Sequence, residues 1–139
     1  GPQASKAVRT WTSNPPGNVT FTDWIEDIRG AYGAGDVYLF PTKAENQGIA
    51  VLEAMACRKA VVLRDIPVFD EFYTHGEDCL KCGTRAEFRD ALSELKADPD
   101  LRARLGQNAA ETAAEHGLGR VGSRLADVYT NITDYSTTA

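Results

Sequence analysis

The sequence predicts an α/β fold: a Rossmann-like parallel sheet with flanking helices. Three observations predict it. Short apolar runs of strand length, Val37–Phe40 and Ala60–Leu63, alternate with segments of helical spacing. Those runs are apolar at successive positions, as strands covered on both faces must be. The chain has 139 residues, 42% hydrophobic and 25% charged. A chain of that size can bury roughly two-thirds of its unfolded surface in one core. The composition has none of the marks of a disordered, collagen-like or disulfide-dense chain.

The elements follow in order. Residues 1–17 are polar and close on Asn14-Pro15-Pro16-Gly17, a strong breaker, with room for a short helix over Ser5–Trp11. The domain is expected over 18–132, followed by a frayed tail over 133–139. Val19-Thr20-Phe21-Thr22 alternates and reads as a strand. Asp27–Ala34 is a short helical stretch, and Val37–Phe40 is a buried strand stopped by Pro41. Gly48–Lys59 is helical, with Asn46 as its expected N-cap. Ala60–Leu63 is the next buried strand, Val68–Thr74 a short helix, and Cys79–Lys81 a short strand. Phe88, Leu92 and Leu95 set the helix Thr84–Lys96. Pro99 opens the helix that runs to about His116, and a last helix covers Gly119–Asn131.

A net charge of −5 and a pI near 5.0 argue against a nucleic-acid surface, which concentrates basic residues on one face. One phosphate-bearing small ligand needs only local donors and is compatible with that charge. No run reaches the ~18 apolar residues of a spanning helix, and the start lacks the basic-then-apolar pattern of a signal peptide. Three cysteines, Cys57, Cys79 and Cys82, are not a disulfide framework. Cys79 and Cys82 form a C-x-x-C, but a structural zinc site needs two further ligands, drawn from Cys57, His75 and His116. Buried thiols are the expected reading.

The segment from Phe40 to Cys57 concentrates the chemistry. It leaves the carboxyl end of a strand, crosses a loop and enters a helix, which is where open α/β sheets bind ligands. The helix N-terminus offers unbonded N–H groups and a partial positive charge suited to phosphate. Gly48 allows a ligand to approach the backbone closely. Glu53 is the only charged residue between Gly48 and Cys57, and Ile49, Ala50, Ala56 and Cys57 are its helical neighbours. A carboxylate there needs its oxygens satisfied. Vicinal ribose hydroxyls would do so. So would an internal ion pair with Arg64 or Lys59, and the residues alone leave both open. Glu45, beside the helix start, has a simple account as an acid stabilised by the helix dipole. Seven residues separate it from Glu53. At 1.5 Å of rise per residue the two carboxylates lie about 10 Å apart, a span suited to reach from ribose to sugar across a diphosphate.

Glu45 and Glu53 together form the E-x7-E pattern of retaining glycosyltransferases with the GT-B fold. From Asn18 to about Ile132 the chain resembles the latter part of the C-terminal, nucleotide-sugar-binding domain of glycosyltransferase family 4, also called group 1. Four stretches carry the resemblance: Asn18–Ile25 (NVTFTDWI), Ala34–Thr42 (AGDVYLFPT), Glu45–Cys57 (ENQGIAVLEAMAC) and Ala60–Lys81. It implies that Glu45 hydrogen-bonds donor-sugar hydroxyls and is the catalytic residue. Backbone N–H groups of Gly48, Ile49 and Ala50 would face sugar and diphosphate, Glu53 would hold the ribose, and Trp24 and Ile25 would sit beside the base. The donor would be a nucleotide-diphosphate hexose, UDP-glucose or a relative. No cofactor and no metal bound to the fold would be required. The forms E-N-Q-G-I and Leu63-Arg-Asp-Ile-Pro-Val68 resemble the branch that glucosylates diacylglycerol and related lipids, which would put the parent enzyme in the cytoplasm, at the inner membrane face.

Departures from the family pattern carry their own expectations. Asp23 stands where glycine is usual, and Arg58-Lys59-Ala60 replaces the usual Gly-x-Pro, so the turn into the next strand should differ. The strand–helix–strand opening with its Arg/Lys pair for the diphosphate, and the acceptor-binding domain, do not precede Gly1. The chain is therefore expected to be part of a longer enzyme and inactive alone. Two other classes compete: a non-catalytic nucleotide-binding or interaction module, such as a flavodoxin-like receiver, and part of a nucleotide-sugar epimerase. A receiver wants acids at its strand ends, where this sequence has Phe40 and Leu63.

Overall fold

The structure, a computed structural model, describes residues 13–22 and 24–136. The possible helix over Ser5–Trp11 and the departure at Asp23 lie outside them. The described elements are α1 (Ile28–Gly33), β1 (Val37–Phe40), α2 (Ile49–Ala56), β2 (Ala60–Arg64), a single 3-10 turn (Pro67–Phe69), β3 (Leu80–Cys82), α3 (Arg85–Ala97), α4 (Pro99–Glu115) and α5 (Leu118–Ser136). The three strands form a parallel sheet in the order β1-β2-β3. Val37 stands opposite Ala60 and Phe40 opposite Leu63; Val62 stands opposite Leu80 and Arg64 opposite Cys82. All three carboxyl ends therefore open on one edge.

β2 is the central strand, and its side chains alternate between two cores. Val61 and Leu63 face Val51, Ala54 and Met55 of α2, Phe69 of the 3-10 turn, and Ala109 and Ala113 of α4. Ala60 and Val62 face Leu80 and Cys82 of β3, Phe88, Ala91 and Leu95 of α3, and Leu105 of α4. The apolar run is thus explained by burial on both faces. β1 differs from expectation: it is an edge strand among the described residues, only half-buried, with Leu39 43% exposed.

Helix starts follow local chemistry. Asp27 caps α1 by accepting from the Gly30 N–H. Thr84 and Glu87 form a reciprocal capping box at α3. Asp98 accepts from the Leu101 N–H, and Pro99 occupies the first turn of α4. Asn46 does not cap α2. The N-cap is Gly48, held at φ 75 and ψ 53, a left-handed conformation that costs glycine nothing. α2 ends in a Schellman motif: the Lys59 N–H reaches the Ala54 carbonyl and the Arg58 N–H the Met55 carbonyl. The left-handed position of that motif is Arg58, at φ 56. The chain thus keeps a glycine-type turn without the glycine.

Other boundaries depart from the sequence reading. Val19–Thr22 is not a strand; it lies in irregular backbone with Phe21 45% exposed. A period-2 pattern forms a strand only where a neighbouring edge supplies hydrogen bonds, and no described strand pairs with this segment. Val68–Thr74 forms one 3-10 turn and then bends, because Asp78 accepts from the Thr74 N–H at 2.9 Å and draws the chain into the 74–79 turn. That turn is fastened to α4: Thr112 donates to Asp78 and Asn108 to the Glu77 carbonyl. α5 continues through 133–136, past the expected start of the tail. Its Leu118, Val121, Leu125, Val128 and Ile132 remain roughly half-exposed or more. Among the described residues, no helix is long and apolar enough to cross a membrane.

Candidate functional site

Three loops leave the carboxyl edge of the sheet, and Arg64 ties two of them together. Its Nε donates to the Pro41 carbonyl at 3.2 Å, at the start of the loop after β1. Its second guanidinium nitrogen donates to the Gly83 carbonyl at 3.1 Å, after β3. The guanidinium also lies 5.3 Å from the centre of the Phe88 ring. Arg64 is therefore committed to backbone carbonyls. It is not the ion-pair partner of Glu53 that the sequence left open. Lys59 is not that partner either; its ammonium donates to the Gly33 carbonyl at 3.3 Å.

Glu53 instead lies exposed on α2, where it accepts a hydrogen bond from the Tyr32 hydroxyl at 3.1 Å. Its carboxylate helps line an open groove of about 500 Å³ with Thr22, Trp24, Ile25, Glu26 and Ile28. The fold thus brings Trp24 and Ile25, which precede α1, against a side chain 28 or more positions later in the chain. Trp24 is 90% exposed and lines the groove with its indole, a flat apolar surface of the kind a planar group packs on. The groove combines flat apolar surface with two acidic residues, Glu26 and Glu53, in its lining.

α2 begins about one turn before Glu53, on a backbone that only glycine adopts without strain. A Cβ on Gly48 would lie 3.1 Å from the Phe69 ring and 3.4 Å from Val51. With φ 75 the residue is held left-handed from within the core. Gly48 is buried, while Ile49 is 63% exposed. The first-turn N–H groups of Ile49 and Ala50 have no acceptor four residues earlier within the helix, the position of an anion site. Glu45 is half-buried in the loop before α2 and accepts from the Asn46 N–H at 2.9 Å. It is not among the residues lining the groove that holds Glu53. Of the expected site residues, then, Trp24, Ile25 and Glu53 meet in one groove, while Gly48, Ile49, Ala50 and Glu45 occupy the adjoining helix start and loop.

Three participants have no signal in the sequence. Tyr32 reaches Glu53 across 21 positions, and Thr22 with Glu26 completes the groove wall. Neither pattern nor motif points to these contacts, because they arise from where α1 packs.

The cysteines of the C-x-x-C belong to opposite cores: Cys79 packs with Tyr73 and Met55, Cys82 with Phe88 and Leu95. Burial pushes both thiols up from their ordinary range, and at Cys79 the neighbouring Asp78 carboxylate adds to the rise. The strand ends Phe40, Arg64 and Cys82 carry no carboxylate, unlike the acid cluster that a receiver needs.

Known proteins bear on this arrangement in three ways. The chain is 28% identical over 127 residues to the processive diacylglycerol alpha-glucosyltransferase of Acholeplasma laidlawii, covering 90% of this chain and 38% of that protein. It is 31% identical over 119 residues to the alpha-D-kanosaminyltransferase of Streptomyces kanamyceticus, covering 82% of this chain and 31% of that protein. The fold is similar to that of Anabaena Alr3699/HepE, solved in complex with UDP-glucose, with a TM-score of 0.78 at 22% identity over 90% of this chain and 36% of that one. The chain therefore spans between three-tenths and two-fifths of the length of these curated relatives. Residues 6–112 match the family model for glycosyl transferases group 1. With most of its length inside that match, the chain belongs to the group 1 glycosyltransferases.

Proposed function

We propose that this chain is the donor-binding part of a retaining glycosyltransferase that transfers a hexose from a UDP-sugar to an acceptor. The observation that carries the reading is the groove. It sets the exposed indole of Trp24 and the side chain of Ile25 beside the Glu53 carboxylate, next to the N-terminus of α2. A nucleoside diphosphate has its parts in that order. The base stacks on Trp24 and Ile25, and the ribose diol donates to Glu53. The diphosphate meets the N–H groups of Ile49 and Ala50, whose position is fixed by the left-handed Gly48 before them. Glu45 takes the hydroxyls of the sugar that follows. Donor groups fixed before the reaction stabilise the departing diphosphate without reorganising, and that preorganisation is where the rate enhancement arises.

The UDP-glucose complex of the similarly folded Anabaena protein supports the donor class. The name of the Acholeplasma relative supports a diacylglycerol-type lipid as acceptor. With a lipid acceptor the reaction belongs to the cytoplasm, at the inner face of the membrane.

Calorimetry with UDP on the full-length protein tests the assignment. Glu53→Gln should weaken UDP binding by about 10- to 100-fold, the value of a charged hydrogen-bond acceptor, roughly 1.5–3 kcal/mol. Its melting temperature should stay near the parent's, since Glu53 is exposed and holds no buried cation. Glu45→Ala should keep UDP affinity and lower turnover of the UDP-sugar. NMR of the first-formed anomer checks retention, and the appearance of a transferred rather than an epimerised sugar separates the transferase from an epimerase. Unchanged UDP affinity in Glu53→Gln would remove the ribose role.

A further inference from the structure

We propose that Tyr32 is a positioning residue for the nucleotide site: its hydroxyl fixes the Glu53 carboxylate in the orientation that receives the ribose diol. The inference rests on the ribose role given to Glu53 above and adds a residue to it.

Glu53 is exposed on α2, so a free carboxylate there would sample several rotamers. The Tyr32 hydroxyl, on α1, removes that freedom. It lies 3.1 Å from Glu53 Oε2 and 3.3 Å from the Ala50 carbonyl one helical turn earlier. The single hydroxyl proton is shared between the two, which engages Oε2 and makes Oε1 the oxygen left for the diol. The tyrosine is itself held by an aromatic row. Its ring meets Tyr38 edge-on at 5.4 Å, Tyr38 stacks on Phe40 at 6.0 Å, and Phe40 meets Phe69 at 6.4 Å. Phe69 is the ring that closes on Gly48. One row of rings thus runs from the ribose carboxylate to the start of α2. Burial, and then the bond to Glu53, raises the Tyr32 hydroxyl well above its ordinary range. It therefore remains a donor at any physiological pH.

The hydroxyl serves the diol and not the base or the diphosphate, which gives the test its selectivity. Calorimetry on the full-length protein compares UDP with 2′,3′-dideoxy-UDP, for the parent and for Tyr32→Phe. Tyr32→Phe keeps the ring and its row of contacts. UDP affinity should fall about three- to tenfold, the cost of ordering one side chain at the moment of binding. Affinity for the dideoxy analogue should stay unchanged, because that ligand offers Glu53 nothing to orient for. In a Glu53→Ala background, Tyr32→Phe should change neither affinity. Equal losses for the two ligands would assign Tyr32 to holding the fold and overturn the inference; so would full UDP affinity in Tyr32→Phe. If Glu53→Gln itself leaves UDP affinity intact, the ribose role and this inference fall together. If Glu53→Gln loses affinity and Tyr32→Phe does not, only this inference falls.

Discussion

Replacing Gly48 with alanine joins the fold to the site through one atom. The backbone at this position is left-handed, φ 75 and ψ 53, and a side-chain residue in that region costs about 1–2 kcal/mol. The new Cβ would also press on the Phe69 ring at 3.1 Å and on Val51 at 3.4 Å. Phe69 and Val51 are fully buried and cannot swing aside into solvent. Overpacking of this kind costs roughly 1–3 kcal/mol, with the lower end apt here because one methyl carbon is added. The sum is about 2–4 kcal/mol. For a domain of this size that lowers the melting midpoint by roughly 6–15 °C. Thermal melts followed by circular dichroism measure it. Gly122→Ala is the control: it sits inside α5 with nothing within 4 Å of its added carbon, so it should stabilise by up to about 1 kcal/mol. A Gly48→Ala loss below about 0.5 kcal/mol would refute the argument. It would show that the start of α2 relaxes freely and does not hold its N–H groups in fixed positions.

At the other end of α2, Arg58→Gly should stabilise the protein by about 1 kcal/mol, because an exposed arginine now occupies the left-handed position of the Schellman motif at φ 56. A melt no higher than the parent's would contradict it. Gly106→Ala should cost more than about 3 kcal/mol, since its Cβ would lie 2.3 Å from the Arg58 carbonyl oxygen and α4 would have to move off that turn; urea titration reads the change. Glu87 is held below the usual carboxylate range, first by the Gly83 N–H and then by Thr84. A carboxyl lowered by folding stabilises fully above its unfolded value of 4.5, and that contribution disappears as the pH falls through the lowered value. The stability gap between the parent and Glu87→Gln should therefore close below pH 4.5, as measured by denaturation at a series of acidic pH values.

The sequence by itself determined those features whose physical cause is local. The β2 run Ala60–Leu63 could only be a doubly covered strand, and it is buried throughout. Thr84 with Glu87, Asp98 with Pro99, and Asp27 mark helix starts through bonds made within a few residues, and each start falls within one residue of its reading. The spacing of Glu45, Gly48 and Glu53 put all three on one loop and one helix, and the structure starts that helix at Gly48 and carries Glu53 on it. Tertiary structure decided whatever depends on a distant neighbour. Val19–Thr22 alternates like a strand but forms no pairing among the described residues, since pairing requires an edge that no local pattern can supply. The N-cap of α2 is Gly48 rather than Asn46, and the reason that position must be glycine is tertiary: Phe69 and Val51 pack where a side chain would stand. The partner of Glu53 was the deepest of these decisions. A lone acid among apolar helical neighbours suggested ribose or a buried cation, but Arg64 and Lys59 found backbone carbonyls and α1 brought Tyr32 to the carboxylate. A hydrogen bond across 21 positions is set by how two helices pack, and packing is a property of the whole core rather than of either segment.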